Sequence, residues 1–255
     1  MSDNKTAIEF SNVSFTLPDG KTLLSNLNLS VEQGETLVLL GRSGSGKTTT
    51  MKLINRLIDP TAGEVRVERK PTVEWDPIRL RRRIGYVIQE VGLFPHLTVE
   101  ENIGVVPRLE GWEPERIRER ARVLLAMVGL DADRFAARFP RELSGGQRQR
   151  IGVARALAAD PPVILLDEPF GALDPITRRE IQREFKTLQQ ELKKTMVFVT
   201  HDIAEAFVLG NRIALLKDGE LILLDVPRAL LQSEHPEARA FAECFYDAQS
   251  SGSSV

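Results

Sequence analysis

A glycine-rich run between an apolar segment and a helical pattern constrains this chain more than any other feature. The run matches the phosphate-binding pattern G-x-x-x-x-G-K-[ST] at every position. It consists of Gly41, Arg42, Ser43, Gly44, Ser45, Gly46, Lys47 and Thr48. Thr36–Leu40 before it predicts a strand, and Met51, Ile54 and Ile58 after it predict a helix. A strand, a glycine loop and a helix in this order predict a nucleotide-binding loop.

The chemistry of this loop follows from its residue types. Glycines let successive N–H groups converge on phosphate oxygens, and the positive end of the following helix points at the same anion. We expect Lys47 to reach the β- and γ-phosphates of ATP and Thr48 to bind Mg²⁺ through its hydroxyl. A glycine-rich turn with a solvated lysine is the alternative, which the spacing and context disfavour.

Two carboxylates end a second apolar segment. Val163–Leu166 predicts a buried strand, and Asp167 and Glu168 follow it, where open α/β sheets bind ligands. Because consecutive strand residues point to opposite faces, we expect different roles for the two acids. Asp167 is the candidate Mg²⁺ ligand, and Glu168 the group that orients or deprotonates an attacking water. The alternative is a strand followed by carboxylates that cap a helix.

The spacing of apolar residues predicts an α/β protein. Alternation on both sides of Pro18-Asp19-Gly20 predicts an N-terminal antiparallel β lobe. The pattern is helical from about Thr98 to Ala159, which predicts a helical insert over 98–159. Strands and helices then alternate, through Thr195–Thr200 and Ile203–Leu209, as in a mostly parallel sheet covered by helices.

Punctuating residues predict where individual elements begin and end. Asp76-Pro77 and Pro114 have the residue types that start helices, and Gly129 fits a helix stop. Lys217–Glu220 predicts a hairpin turn. We predict a single domain over 7–245 and, because of its serine and glycine content, a flexible tail over 246–255.

Charge and hydropathy limit the function classes. A formal net charge of −2 provides no basic field for nucleic acid, so no nucleic-acid partner is expected. The longest apolar stretches fall far short of the roughly 20 residues that span a bilayer, and residues 1–6 form no secretory signal. We therefore expect a cytoplasmic location. Cys244 is the only cysteine, and we assign it no function.

Taken together, the motifs resemble the nucleotide-binding domain of ABC transporters. The resemblance runs from about Ile8 to Phe245, with every motif in the expected order. Besides the two sites above, it rests on Gln89, Leu143-Ser144-Gly145-Gly146-Gln147, Ala172-Leu173-Asp174 and Thr200-His201-Asp202. It implies a P-loop NTPase (RecA-like) core and ATP hydrolysis.

The resemblance also implies roles for individual residues. Gln89 would be the Q-loop residue at Mg²⁺ and the attacking water, Asp174 the D-loop acid, and His201 the switch at the γ-phosphate. Two copies would close head to tail as a homodimer, so that the signature loop of one covers ATP held by the other. That loop is Leu143, Ser144, Gly145, Gly146 and Gln147. Ser144 would also cap a helix.

The nucleotide-contacting set would extend to Thr49 and to the adenine-facing position. Members of the family usually have an aromatic residue there, whereas alignment places Leu17 at this point. Phe15, two residues earlier, is the alternative stacking residue, although packing into the β lobe would also account for it. Whether Leu17 or Phe15 contacts adenine stays open.

Further runs resemble the ATPases of importers for quaternary-amine osmoprotectants such as glycine betaine, choline and carnitine. They are Thr48–Leu57, Arg83–Gln89 and Gly92–His96. The resemblance implies a peripheral subunit on the cytoplasmic face of the inner membrane, docked to integral permease subunits through a groove near Val91–Glu101. A solute-binding protein would act indirectly. Relatives often append regulatory CBS domains, and this sequence ends before them, so sensing through such domains is not expected.

Three alternatives stay open. One is the ATPase of another ABC importer, for amino acids or other small solutes. A second is a soluble ABC ATPase of DNA repair, chromosome maintenance or translation, which the single compact cassette disfavours. A third is a nucleotide-dependent assembly factor that never meets a membrane protein.

Overall fold

The computed structural model describes residues 6–89, 92–171 and 173–252, without the side chains of 247–252. The chain divides into two compact units. The terminal unit combines the segment up to Leu80 with the segment from Thr195, and the middle unit is Arg81–Lys194. The predicted single domain over 7–245 stays a prediction. None of the helices in the described ranges is both long and apolar enough to cross a membrane.

Strands and helices succeed each other along the whole chain. The strands are β1 Thr6–Thr16, β2 Thr22–Glu32, β3 Thr36–Leu40, β4 Ala62–Val67, β5 Lys70–Pro71, β6 Ile84–Val87, β7 Val163–Asp167, β8 Thr195–Thr200, β9 Arg212–Lys217 and β10 Glu220–Asp225. The helices are α1 Lys47–Ile54, α2 Pro77–Arg83, α3 Val99–Ile103, α4 Val105–Leu109, α5 Pro114–Met127, α6 Ala132–Phe135, α7 Gly145–Leu157, α8 Pro175–Leu192, α9 Ile203–Leu209, α10 Pro227–Gln232 and α11 Pro236–Gly252. Thr72–Glu74 and Pro140–Glu142 form single 3₁₀ turns.

The predicted β lobe is present in the terminal unit as an antiparallel sheet. Its strand order is β2-β1-β4-β5, and Phe10 of β1 lies opposite Leu29 of β2. Ile8, Val13 and Leu27 are fully buried. Irregularities in register interrupt the pairing of β1 and β2, so the alternation of buried residues is imperfect.

A parallel set of strands in the same unit positions the phosphate-binding loop. β3 lies between β8 and β9, and Leu37 faces Val197 of β8 and Arg212 of β9. All five residues of β3 are buried, as expected for a strand covered on both faces. β10 pairs antiparallel with β9. The turn between them, Asp218-Gly219, has positive φ at both residues, which confirms the predicted hairpin.

The middle unit contains the parallel pair β6 and β7, with Tyr86 opposite Leu165. The predicted helical insert is present as α3 to α7. At the end of α5, Gly129 adopts a φ of 69°, and its N–H and that of Leu130 donate to the carbonyls of Ala126 and Leu125. This is the Schellman arrangement, so the predicted helix stop is confirmed.

One predicted boundary is wrong. The helix after the glycine loop ends at Ile54 rather than continuing to Ile58, because Arg56 takes a left-handed φ of 52°. At the other end of the chain, α11 continues to Gly252, into the predicted tail over 246–255, and the flexibility of that tail stays a prediction.

Candidate functional site

The predicted phosphate-binding loop connects β3 to α1. Gly46 has a φ of 104°, and a Cβ atom there would lie 2.6 Å from Leu24 Cδ2. Gly41 is still more restricted, since a Cβ atom would lie 2.3 Å from the Leu216 carbonyl oxygen. The backbone therefore needs glycine at both positions, as the sequence predicts.

The lysine of this loop is buried against its own backbone. Lys47 is 5% exposed, and its Nζ donates to the carbonyls of Gly41 at 2.7 Å and Arg42 at 2.8 Å. Ser45 Oγ is buried and has no hydrogen-bond partner within residues 6–89, 92–171 and 173–252. An unsatisfied hydroxyl and a buried ammonium in the same loop suit an anion with several oxygens. The loop therefore fits the phosphates of a nucleotide.

The remaining polar positions of the loop differ in exposure. Ser43, Gly44 and Thr48 are exposed, and Thr49 is half-buried. The exposed Arg42 side chain donates from Nε to Glu237 Oε1 at 2.6 Å. Glu237 was missed by the sequence reasoning, because nothing local in the sequence connects it to a residue so far away.

The acidic pair lies where β7 ends, in the middle unit. β7 ends at Asp167, and Glu168 turns into a left-handed conformation with a φ of 43°. We expected alternation along a strand to point the two carboxylates to opposite faces. Glu168 lies outside the strand, so the backbone turn, and not strand alternation, sets the direction of its side chain. Gln89 Nε2 donates to Glu168 Oε2 at 3.2 Å, so the structure brings together two of the predicted catalytic residues.

Asp167 has a different neighbour. Tyr86 Oη donates to Asp167 Oδ2 across a long 3.4 Å contact. Burial, followed by the charge of Asp167, raises the pKa of Tyr86 to about 12. The phenol thus stays protonated and available as a donor to the predicted Mg²⁺ ligand. The sequence predicted Tyr86 as a strand residue but did not predict its hydrogen bond to Asp167.

The signature loop forms the N-terminus of α7. Ser144 accepts from the Gln147 N–H at 3.3 Å, and Gln147 Oε1 accepts from the Ser144 N–H at 3.0 Å. This reciprocal capping box confirms the predicted cap at Ser144. Leu143 is buried, Gly145 is exposed, and a Cβ atom on Gly146 would lie 3.1 Å from Thr177 Cγ2 of α8.

Two further motif residues begin or precede helices. Asp174 accepts from the N–H groups of Ile176 and Thr177, both at 3.1 Å. Hydrogen bonding by the Thr177 side chain and backbone lowers the pKa of Asp174. His201 is exposed directly after β8, and Asp202 caps α9 by accepting from Ala204 N–H at 2.8 Å. Both motifs therefore lie at the ends of helices, as their sequence positions predict.

The adenine-facing position stays a prediction. Leu17 is half-buried in the turn after β1, where its N–H donates to the Lys21 carbonyl at 2.9 Å. Phe15 is also half-buried, and it lies opposite Leu24 of β2. Leu17 thus belongs to a turn and Phe15 to a strand.

The predicted permease-docking stretch runs over 91–101, and its first residue, Val91, lies outside the described residues. The described part of this stretch lies beside a groove of ≈ 340 Å³ whose lining includes Tyr86, Ile88 and Phe94. Ala172 of the D-loop motif also lies outside the described residues. Asn102 holds the loop by accepting from the Phe94 N–H at 2.8 Å. Arg81, Arg82 and Arg155 line the groove together with these apolar and aromatic side chains, and docking to a permease stays a prediction.

The predicted site residues divide between the two units. The terminal unit holds the phosphate-binding loop, Thr49, Leu17 and His201. The middle unit holds Gln89, the acidic pair, the signature loop and Asp174.

A protein-family model described as "ABC transporter" matches residues 24–171. The glycine betaine uptake system ATP-binding protein YehX of Escherichia coli is 47% identical over 224 residues, 88% of this chain and 72% of that protein.

The chain belongs to the ABC transporter family. The choline transport ATP-binding protein OpuBA of Bacillus subtilis is 53% identical over 226 residues, 89% of this chain but 59% of that protein. The chain thus spans just over half the length of such relatives. Among solved structures, a dimeric post-hydrolysis state of the ATP-binding cassette MJ0796 bound to ADP and Pi matches with a TM-score of 0.77 and 41% identity. That match covers 87% of this chain and 99% of MJ0796, so the ABC cassette fold extends over most of the chain.

Proposed function

We propose that this chain is the ATP-hydrolysing subunit of an ABC importer. The observation that carries the proposal is the phosphate-binding loop, which holds Lys47 buried against its carbonyls and contains the unsatisfied Ser45 Oγ. Such a loop suits the phosphates of a nucleotide. The likeness to a cassette solved with ADP and Pi supports the same ligand class.

The roles of the site residues follow from their chemistry. Lys47 would neutralise the β- and γ-phosphates. Thr48, Asp167 and Gln89 each offer an oxygen of the kind that Mg²⁺ binds, so we assign the ion to them together with phosphate oxygens. Mg²⁺ would supply charge neutralisation on the phosphates.

Glu168 and His201 carry the proposed hydrolytic step. Glu168, oriented by Gln89, would accept a proton from the attacking water. His201 would hydrogen-bond to the γ-phosphate. Both assignments agree with the family's motif order and with the positions of these residues at strand ends, where His201 is exposed and Glu168 is half-buried.

We also propose a head-to-tail homodimer. Ser144, Gly145 and Gly146 begin α7, an N-terminus with the N–H groups and positive dipole that favour a phosphate. The capping box accounts for the Ser144 and Gln147 side chains. The dimeric structures of the MJ0796 cassette support a dimer. Asp174 and its neighbours would lie at the same interface.

The proposed cargo is a quaternary-amine osmoprotectant. The support is similarity to relatives named for choline, carnitine and glycine betaine transport. The chain would act at the cytoplasmic face of the inner membrane, bound to permease subunits through the groove beside 91–101. A solute-binding protein would deliver the solute to those subunits. Uptake would then draw on ATP binding and hydrolysis in this chain.

The test compares two lysines of α1. Lys47→Ala should abolish MgATP hydrolysis by the purified chain, because the phosphates lose their buried cation. Lys52→Ala, which alters an exposed lysine of the same helix, should hydrolyse at the wild-type rate. Equal rates in all three proteins would refute an ATPase role for this site.

A second experiment tests the cargo. The rate of ATP hydrolysis by the complex of this chain with its permease in vesicles should rise when glycine betaine or choline is added. A response to amino acids alone would overturn the assigned solute class.

A further inference from the structure

The C-terminal helix α11 reaches back to the phosphate-binding loop. Glu237, in its first turn, accepts from Arg42 Nε at 2.6 Å. Lys217 Nζ, from the end of β9, lies 3.6 Å from the other carboxylate oxygen. The side chain of Glu237 is 8% exposed, whereas that of Arg42 is 69% exposed. A nearly buried carboxylate is thus held between two cations of the same unit.

The position of Glu237 is itself fixed. Its N–H donates to His235 Nδ1 at 3.2 Å, so the start of α11 is anchored by the residue just before it. The β9–β10 hairpin, which carries Lys217, is joined to the same loop, since the Gly219 N–H donates to the Ser45 carbonyl at 3.2 Å. Both cationic partners of Glu237 therefore belong to segments in contact with the phosphate-binding loop.

The middle of α11 contacts the helix that follows the proposed switch histidine. Phe245 stacks on Phe207 of α9 with ring centroids 4.4 Å apart and an interplanar angle of 25°. α9 starts two residues after His201. The helix is therefore attached at two points, once at its start beside the phosphate-binding loop and once at its middle to α9.

The contact on Arg42 bears on the geometry of Lys47. The Arg42 carbonyl accepts from Lys47 Nζ at 2.8 Å, while the Arg42 side chain is held by Glu237. A loop rich in glycine has many accessible backbone conformations, and a charge-assisted hydrogen bond to a fixed, nearly buried carboxylate removes some of them. Holding the side chain of Arg42 thus restrains the carbonyl that orients Lys47.

We propose that Glu237 of α11 is a positioning residue for the phosphate-binding loop, acting through Arg42. The proposal rests on the proposed function, because it assumes that the loop binds nucleotide phosphates. Loss of the carboxylate charge leaves the loop intact but less ordered. It therefore weakens the binding of phosphates more than it weakens the fold.

The experiment measures MgADP binding by calorimetry, which requires no turnover. Glu237→Gln keeps the shape of the side chain and removes its charge, and we expect the Kd to rise by about tenfold for a lost charge-assisted hydrogen bond. Glu243→Gln, an exposed position on the same helix, is the matched control and should bind like the wild type. Amide exchange of the nucleotide-free protein should be faster across residues 42–46 in Glu237→Gln and unchanged in the control.

A double-mutant cycle tests the route through Arg42. If Glu237 acts through Arg42, the combined Arg42→Gln, Glu237→Gln protein should bind MgADP no worse than the weaker single variant. Wild-type affinity in Glu237→Gln, or losses that multiply in the double variant, would overturn the inference. A wild-type chain that binds no MgADP would instead refute the proposed function, so the two failures are distinguishable.

Discussion

Glu168 allows chemistry and backbone strain to be tested at one residue. Glu168→Gln keeps an oxygen that can accept from Gln89 Nε2, so the turn and ATP binding should persist. The amide cannot take a proton from water, and a positioned acid–base group contributes about 10²–10⁴-fold. The expected loss in turnover corresponds to about 3–5 kcal/mol of transition-state stabilisation.

A second pair of variants at this position isolates the backbone. Both Glu168→Ala and Glu168→Gly remove the carboxylate, and both should be inactive. They differ because φ is 43° at this residue, a conformation that costs a residue with a Cβ about 1–2 kcal/mol. Glycine loses about 0.5–1 kcal/mol more conformational freedom on folding. We therefore expect the glycine variant to be more stable than the alanine variant by roughly 1 kcal/mol, or about 2–4 °C in Tm for a chain of this size.

The assays are single-turnover hydrolysis, gel filtration with MgATP and thermal unfolding of each variant. Glu168→Gln should elute as a larger species with MgATP, because the nucleotide that joins the proposed dimer is not consumed. Hydrolysis near the wild-type rate in Glu168→Gln would refute the assignment of the base. An alanine variant as stable as the glycine variant would show that the turn after β7 stores no strain.

Three other outcomes are expected. Ser144→Arg should bind ATP without hydrolysing it, and mixing it with Lys47→Ala should partly restore single-turnover hydrolysis; activity of Ser144→Arg alone would contradict a site shared between subunits. Leu17→Tyr should tighten ATP binding several-fold in calorimetry, since stacking on a base contributes about 1–3 kcal/mol, whereas a large loss in Phe15→Ala would place the base two residues upstream. The pKa of Tyr86 is raised to about 12, so between about pH 10 and pH 12 the folded chain keeps a proton that the unfolded chain loses. The free energy of unfolding should therefore fall over this pH range, by less than about 2 kcal/mol because the ring is partly exposed. The measurement is the urea midpoint of unfolding as a function of pH, and Tyr86→Phe should reduce its decline at alkaline pH. An unchanged decline would exclude Tyr86 as its cause.

Local features of the structure were predictable because their causes lie within a few residues. Ser144 caps α7 and Asp174 caps α8 through N–H groups two or three residues away. Gly129 stops α5 because the left-handed conformation required there suits glycine. The hairpin at Asp218-Gly219 follows the same reasoning. The phosphate-binding loop belongs to this class as well, since its sequence pattern and its strand-loop-helix context are contiguous.

The contacts between distant segments were decided by the tertiary structure. Gln89 meets Glu168 across 79 residues, and Arg42 meets Glu237 across 195. Such pairs depend on strand register and on where α11 packs, and neither is encoded in spacing along the chain. The turn at Glu168 is similar, because an apolar strand pattern continues through Asp167 without showing that the backbone reverses its φ at the next residue. The sequence by itself determined which residues are proposed to carry the chemistry, because motif residues would act through their own loops and helix ends. Only the tertiary structure decided which side chains hold them in place, because that support comes from residues brought close by folding.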